Sequence, residues 1–153
     1  MDGRRQLAVV GTAVGRAGAR GAIAAMAMSG IRQATTSLGL VERTPPEQLL
    51  KHTAPALFYR VPANRRPALV EFIHWGVGAV GGAAFGLLPR TIRRRAWAGP
   101  AYGFVFWAAF EATVAPKLGI SRKRHGLGEQ LALLVDHTLY GVVVGSSPWP
   151  HAD

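Results

Sequence analysis

Residues 67–89 read PALVEFIHWGVGAVGGAAFGLLP, an apolar run between two prolines in which Glu71 and His74 are the ionisable side chains. A run of this length matches the roughly 20 residues that a helix needs to cross ~30 Å of hydrocarbon. Gly78, Gly82 and Gly86 recur at every fourth position, so they share one helical face on which a second helix can approach closely. The embedded Gly76-Val77-Gly78-Ala79-Val80-Gly81 spells G-x-G-x-x-G. No strand precedes it and it lies inside the apolar run, which excludes a dinucleotide fingerprint. The stretch predicts a membrane helix with a glycine face.

Working outward, three further apolar stretches have similar length: 21–40, 97–116 and 128–145. Pro67, Pro89, Pro116 and Pro148 stand at or just past span ends, where a helix tolerates them. Trp75, Trp97, Trp149 and Tyr102 lie near span ends, as interfacial aromatics do. Gly99/Gly103 and Gly141/Gly145 repeat the four-residue spacing of the second span. The expected fold is therefore all-α, a polytopic membrane protein forming a four-transmembrane-helix bundle over residues 21–147. Residues 1–20 form a basic N-terminal arm, 41–66 a surface loop and 148–153 a short tail. The arm reads as interfacial or disordered, with a cleaved signal peptide as the alternative. Short connections make the second and third spans, and the third and fourth, antiparallel neighbours. The competing reading is a soluble four-helix protein, against which stands the cost of Gly in a helix in water, about 1 kcal/mol each.

The chain carries 18 Lys and Arg against 8 Asp and Glu, a net charge of +10. The cations cluster between the apolar runs, which suits anionic lipid headgroups better than nucleic acid. Arg4, Arg5, Arg16, Arg20, Arg90, Arg93, Arg94 and Arg95 flank one side. Arg43, Lys51, Arg60, Arg65, Arg66, Lys117, Arg122, Lys123 and Arg124 flank the other. Eight against nine gives the positive-inside rule no asymmetry, so orientation stays open. The absence of Cys excludes disulfides, thiolate metal sites and thiol chemistry.

Six ionisable residues interrupt the apolar spans: Arg32, Glu71, His74, Glu111, Asp136 and His137. Counted at 1.5 Å per residue from the span ends, all lie about 6 to 13 Å below the same side. A charge at such depth normally meets a partner or a water-filled cavity. Two readings follow. One is a polar pocket that handles protons, ions or a small polar solute. The other is a structural network in which Glu111 or Asp136 neutralises Arg32 and the histidines bond locally, in a scaffold or assembly subunit. A third reading, a membrane-embedded metalloenzyme, would draw ligands from Glu71, His74, Glu111 and His137. The single Glu-x-x-His pair allows a mononuclear site at best. No cofactor is implied, and no Ser or Thr has a His and carboxylate at the spacing of an activated nucleophile.

The even-numbered spans share a pattern: His74-x3-Gly78-x3-Gly82 and His137-x3-Gly141-x3-Gly145. Either a hairpin has been duplicated in parallel orientation or an abundant residue has coincided. The glycine faces make self-association or a membrane-protein partner the expected mode of assembly.

These motifs resemble the small bacterial integral membrane proteins related to YagU, an uncharacterised group. The likeness covers residues 21–145. It rests on Gly21-Ala22-Ile23 with Met26 and Met28, Pro45-Pro46, and His74 with its glycine-rich helix. Gly99-x3-Gly103, Pro116-x-x-Gly119, Asp136-His137 and Tyr140-Gly141 continue it. The resemblance implies a multi-pass protein of the bacterial plasma (inner) membrane and carries over no substrate or catalytic residue. Arg32 and Glu111 lie outside the shared pattern.

Overall fold

In the computed structural model, the first element, α1 (Gly3–Ser37), is one uninterrupted helix of 35 residues, about 52 Å long at 1.5 Å per residue. Its packed face reads Ala13, Ala17, Gly21, Ala25 and Ser29, one small residue at every fourth position, all of them buried. The structure describes residues 3–37, 45–116 and 127–146. The expected span end at Leu38–Leu40, the loop start at 41–44, the cations Lys117 and Arg122–Arg124, and Pro148 and Trp149 lie outside them.

The connection after α1 carries α2 (Pro45–Thr53), α3 (Pro55–Arg60) and a short 3-10 turn at Ala63–Arg65. Prolines at the helix starts supply the fixed φ that a first turn accepts. Leu50 and Phe58 bury against Val70 to make a small second core. The guanidinium of Arg66 lies 5.1 Å from the Phe58 ring centre and 5.4 Å from that of Tyr59. What the sequence presents as a loop is thus two short helices folded onto the start of α4 (Arg66–Gly86).

A single turn, α5 (Arg90–Arg93), leads into α6 (Ala98–Ala109), which continues as a π-helical turn at Phe110–Val114. There Ala115 N–H donates to Phe110 O at 3.0 Å. Pro116 explains the widening, because its ring crowds the carbonyl one turn earlier and it has no N–H to donate. The last helix is α7 (Leu127–Gly145). The described residues are all-α, with no strand among them. Among the described residues one helical segment, Ala63–Gly86, is long and apolar enough to cross a membrane, and Gln130–Gly145 is apolar but shorter.

Two tight antiparallel pairs make the bundle. In the first, α4 lies on α1 with almost no side chains between the backbones. A Cβ added to Gly82 would stand 2.9 Å from Gly21 Cα, and one on Gly86 2.7 Å from Val14 Cα. In the second, α6 lies on α7 in the same manner: a Cβ on Gly145 would stand 2.7 Å from Gly99 Cα, and one on Gly103 would strike the His137 carbonyl. The pairs join where α1 packs on α7, around Ala17, Ala24, Met28, Phe85, Tyr140 and Val144.

The sequence leads one to expect α4 and α6 as close antiparallel neighbours, and here the structure differs. The chief partner of α4 is α1, despite the long connection between them. The reason is the faces on offer. Glycine meets alanine and glycine between α4 and α1, whereas α4 and α6 meet through rings, with Phe85 and Tyr102 centroids 5.2 Å apart. The first packed helix also begins earlier than residue 21, since Ala13 and Ala17 are already buried.

Candidate functional site

Near the end of the bundle where α1 finishes and α4 begins, Arg32 Nη2 pairs with Glu71 Oε1 at 2.5 Å. Their side chains are 12% and 21% exposed, so the pair is largely withdrawn from solvent. Arg32 therefore finds a carboxylate on α4, which the sequence does not single out as its partner, while Asp136 lies within its electrostatic range. Ser29 completes the group. Its hydroxyl has one proton and lies within donating reach of both Ala25 O and Glu71 Oε2. It accepts from Trp75 Nε1 at 3.2 Å and from Arg32 at 3.4 Å. Ser29 and Arg32 are three residues apart on α1, Glu71 and Trp75 four apart on α4, so each helix presents its two members on one face.

His74, Asp136 and His137 share this neighbourhood. His74 lies within electrostatic range of Arg32, Glu71 and His137, and Asp136 within range of Arg32. Three helices thus contribute to one polar layer. His74 Nε2 and Asp136 Oδ1 are buried and have no hydrogen-bond partner, and neither does Trp107 Nε1 on α6. His137 differs from His74: its Nδ1 is 2.8 Å from Leu133 O, one turn back on its own helix. Its ring lies 6.2 Å from that of Phe106.

Glu111, only 9% exposed, enters from the π turn of α6 and lies within electrostatic range of His137. The widened turn sits where the carboxylate must face inward, a placement common to π-bulges at functional sites. Among the described residues no three His, Asp or Glu side chains converge as a metal centre. The set Glu71, His74, Glu111 and His137 does not form one.

Two tyrosines complete the neighbourhood. Tyr140 Oη donates to Gly78 O and Tyr102 Oη to Gly81 O, each at 2.6 Å. They pin the α6–α7 pair to the middle of α4. A Cβ on Gly81 would stand 2.7 Å from Tyr140 Oη, so the glycine leaves room for the hydroxyl. Sequence reasoning has Ser29 bonding its own preceding turn, as it does to Ala25 O, but passes over its bonds across to α4 and those of Tyr102 and Tyr140. The available signal was spacing: Ser29 stands three before Arg32, and Tyr140 three after His137 and beside Gly141.

Residues 11–148 match the profile of a family of unknown function, DUF6789. The chain belongs to this family. The match covers the bundle and the polar layer of this DUF6789 chain, and the family description supplies no activity. No curated protein and no solved structure matches the chain. The coarser part of the resemblance, membership of one uncharacterised family, is what the match shows.

Proposed function

We propose that this is a multi-pass protein of the bacterial inner membrane in which α1, α4, α6 with its π turn, and α7 span the bilayer. On this reading the polar layer handles protons, cations or a small polar solute. The apolar exterior supports the lipid setting: Phe72 and Val80 on α4 are 70% and 72% exposed. Phe104, Val105, Leu131 and Val135 continue the belt on α6 and α7. Large ring and branched side chains turned outward on three helices suit hydrocarbon.

The observation that carries the functional reading is the pair of orphaned atoms, His74 Nε2 and Asp136 Oδ1. They stand on different helices beside an Arg32–Glu71 pair that already satisfies itself. A buried polar atom without a partner costs about 1–3 kcal/mol, a cost removed when water, a proton carrier or a guest bridges it. Among the described residues the layer holds one guanidinium, Arg32, and three carboxylates, Glu71, Glu111 and Asp136. Its charge balance therefore favours protons and cations over anions.

The test is reconstitution into liposomes with a trapped pH-sensitive dye and an imposed potassium diffusion potential. The protein should acidify the lumen faster than empty vesicles, and Asp136→Asn or His74→Leu should slow this several-fold. Sodium and potassium gradients test the ion arm in the same vesicles. Flux indistinguishable from empty vesicles for protons and both ions would remove the proton and cation arms of the reading.

One observation favours a second reading, a scaffold whose polar layer sets helix register. Ser29, Arg32, Glu71 and Trp75 form a hydrogen-bonded group across α1 and α4. In that case Gly82→Leu would abolish assembly and function, while His74 and Asp136 variants would behave as the parent protein.

A further inference from the structure

At the opposite end of the bundle from the polar layer lies a cavity of about 260 Å³, open on one side. Arg93, Arg94 and Arg95 line it together with Gly99, Gly145 and Ser146. Its construction follows from local rules. Pro89 O accepts the N–H groups of Ile92 and Arg93 at 2.9 and 3.0 Å, which closes α5 into one tight turn. Arg93 Nε donates to Leu88 O at 2.9 Å and fixes the turn to the end of α4. The arginine run is thereby held over the end of α7. The floor is the contact of Gly99 with Gly145, where neither residue has a side chain to fill the hollow.

We infer that this cavity binds a phosphate group, carried by an anionic lipid headgroup or by a small soluble phosphate. Arg94 and Arg95 are exposed, and among the described residues neither side chain has a hydrogen bond or ion pair. The carboxylate residues described in the fold, Glu47, Glu71, Glu111, Glu129 in the first turn of α7, and Asp136, all belong to the other end. Glu111 is twelve residues along α6 from Gly99, about 18 Å at 1.5 Å per residue. Among the described residues, no carboxylate neutralises Arg94 or Arg95. Adjacent guanidinium forks match phosphate oxygens, which they bind bidentately. The α6 N-terminus adds its positive helix dipole at the same wall.

Size narrows the ligand. Drug- and cofactor-sized pockets run from about 300 Å³ upward, so this one suits a headgroup or a small phosphate ester. A single hollow bounded by helix ends is not the continuous basic track that a polynucleotide needs. The inference stands apart from the polar layer, and its failure would leave the flux experiment untouched.

The experiment uses the full chain in a maltoside detergent, titrated by calorimetry and by the fluorescence of Trp97, which is 61% exposed beside the cavity. Probes are dihexanoyl phosphatidylglycerol, dihexanoyl phosphatidylcholine and inorganic phosphate. Saturable binding of the anionic lipid, weakened at least tenfold in Arg94→Gln/Arg95→Gln, supports the site and assigns a lipid source. Saturation by inorganic phosphate alone, lost in the same variant, assigns a soluble source. Equal response to phosphatidylcholine, binding unchanged in the double variant, or no binding of either anion overturns the inference. The variant should unfold at the same temperature as the parent in the absence of ligand, because it deletes no contact within the described fold.

Discussion

Replacing Gly82 and Gly76 by alanine should have opposite consequences, though both lie on α4 and the substitution is identical. At Gly82 a Cβ would strike the Ala17 carbonyl and stand 2.9 Å from Gly21 Cα. Carbon atoms attract best at about 3.5–4.0 Å, so α1 and α4 must separate by roughly 0.6–1.1 Å. A gap of that size forfeits about a quarter to a half of each dispersion contact along the crossing, and overpacking of this kind costs about 1–3 kcal/mol. At Gly76 nothing lies within 4 Å of the added atom. There alanine only restricts the unfolded backbone, which favours the helix by about 0.5–1 kcal/mol. Unfolding followed by circular dichroism in a mild detergent should rank Gly76→Ala at or above the parent and Gly82→Ala clearly below. The two variants should differ by about 1.5–4 kcal/mol. Equal stabilities would refute the close backbone crossing on which the fold rests.

Gly141→Ala should reproduce the Gly82 effect in the second pair, because its Cβ would stand 2.8 Å from Gly103 Cα; the same unfolding assay reads it. Glu71→Ala should destabilise the protein by about 3 kcal/mol, since it leaves the Arg32 guanidinium withdrawn from solvent without its counter-ion. Adding Arg32→Ala should recover part of that loss, and a double-mutant cycle with a coupling below about 0.5 kcal/mol would contradict the pairing. Tyr140→Phe should cost about 1 kcal/mol for its single bond to Gly78 O. Gly78 O retains its helical hydrogen bond in that variant, so a much larger loss would mean that Tyr140 does more than pin α7 to α4.

The sequence made the helical character of this chain legible because glycine at every fourth position has few other uses in an apolar run. The expected second and fourth spans, 67–89 and 128–145, lie close to α4 and α7. The start of α1 was obscured by Arg16 and Arg20, which lower the local hydropathy while alanines 13 and 17 continue the packed face. Which helices pair was not legible. Chain order favours neighbours joined by short loops, but complementarity of faces decided in favour of α1 and α4. In the polar layer, depth counted along the helices brought Arg32, Glu71, His74, Asp136 and His137 to a common level. Depth leaves rotation about each axis undetermined, so the pairing of Arg32 with Glu71 was not legible. The π turn at Glu111 had one sequence correlate, Pro116, read only as a boundary.

The two glycine-zipped hairpins and the aromatic seam between them differ in the freedom they allow. Where a carbonyl rests on a neighbour's Cα, sliding meets atoms with no rotamer to adjust, so each hairpin behaves as a rigid plank. Phe85, Tyr102, Phe106 and Tyr140 bridge the planks with packed rings, and the two tyrosine hydroxyls bond to the backbone of α4. Shear between the halves of this molecule therefore has to break two phenol hydrogen bonds, one of them made by Tyr140 a turn beyond His137.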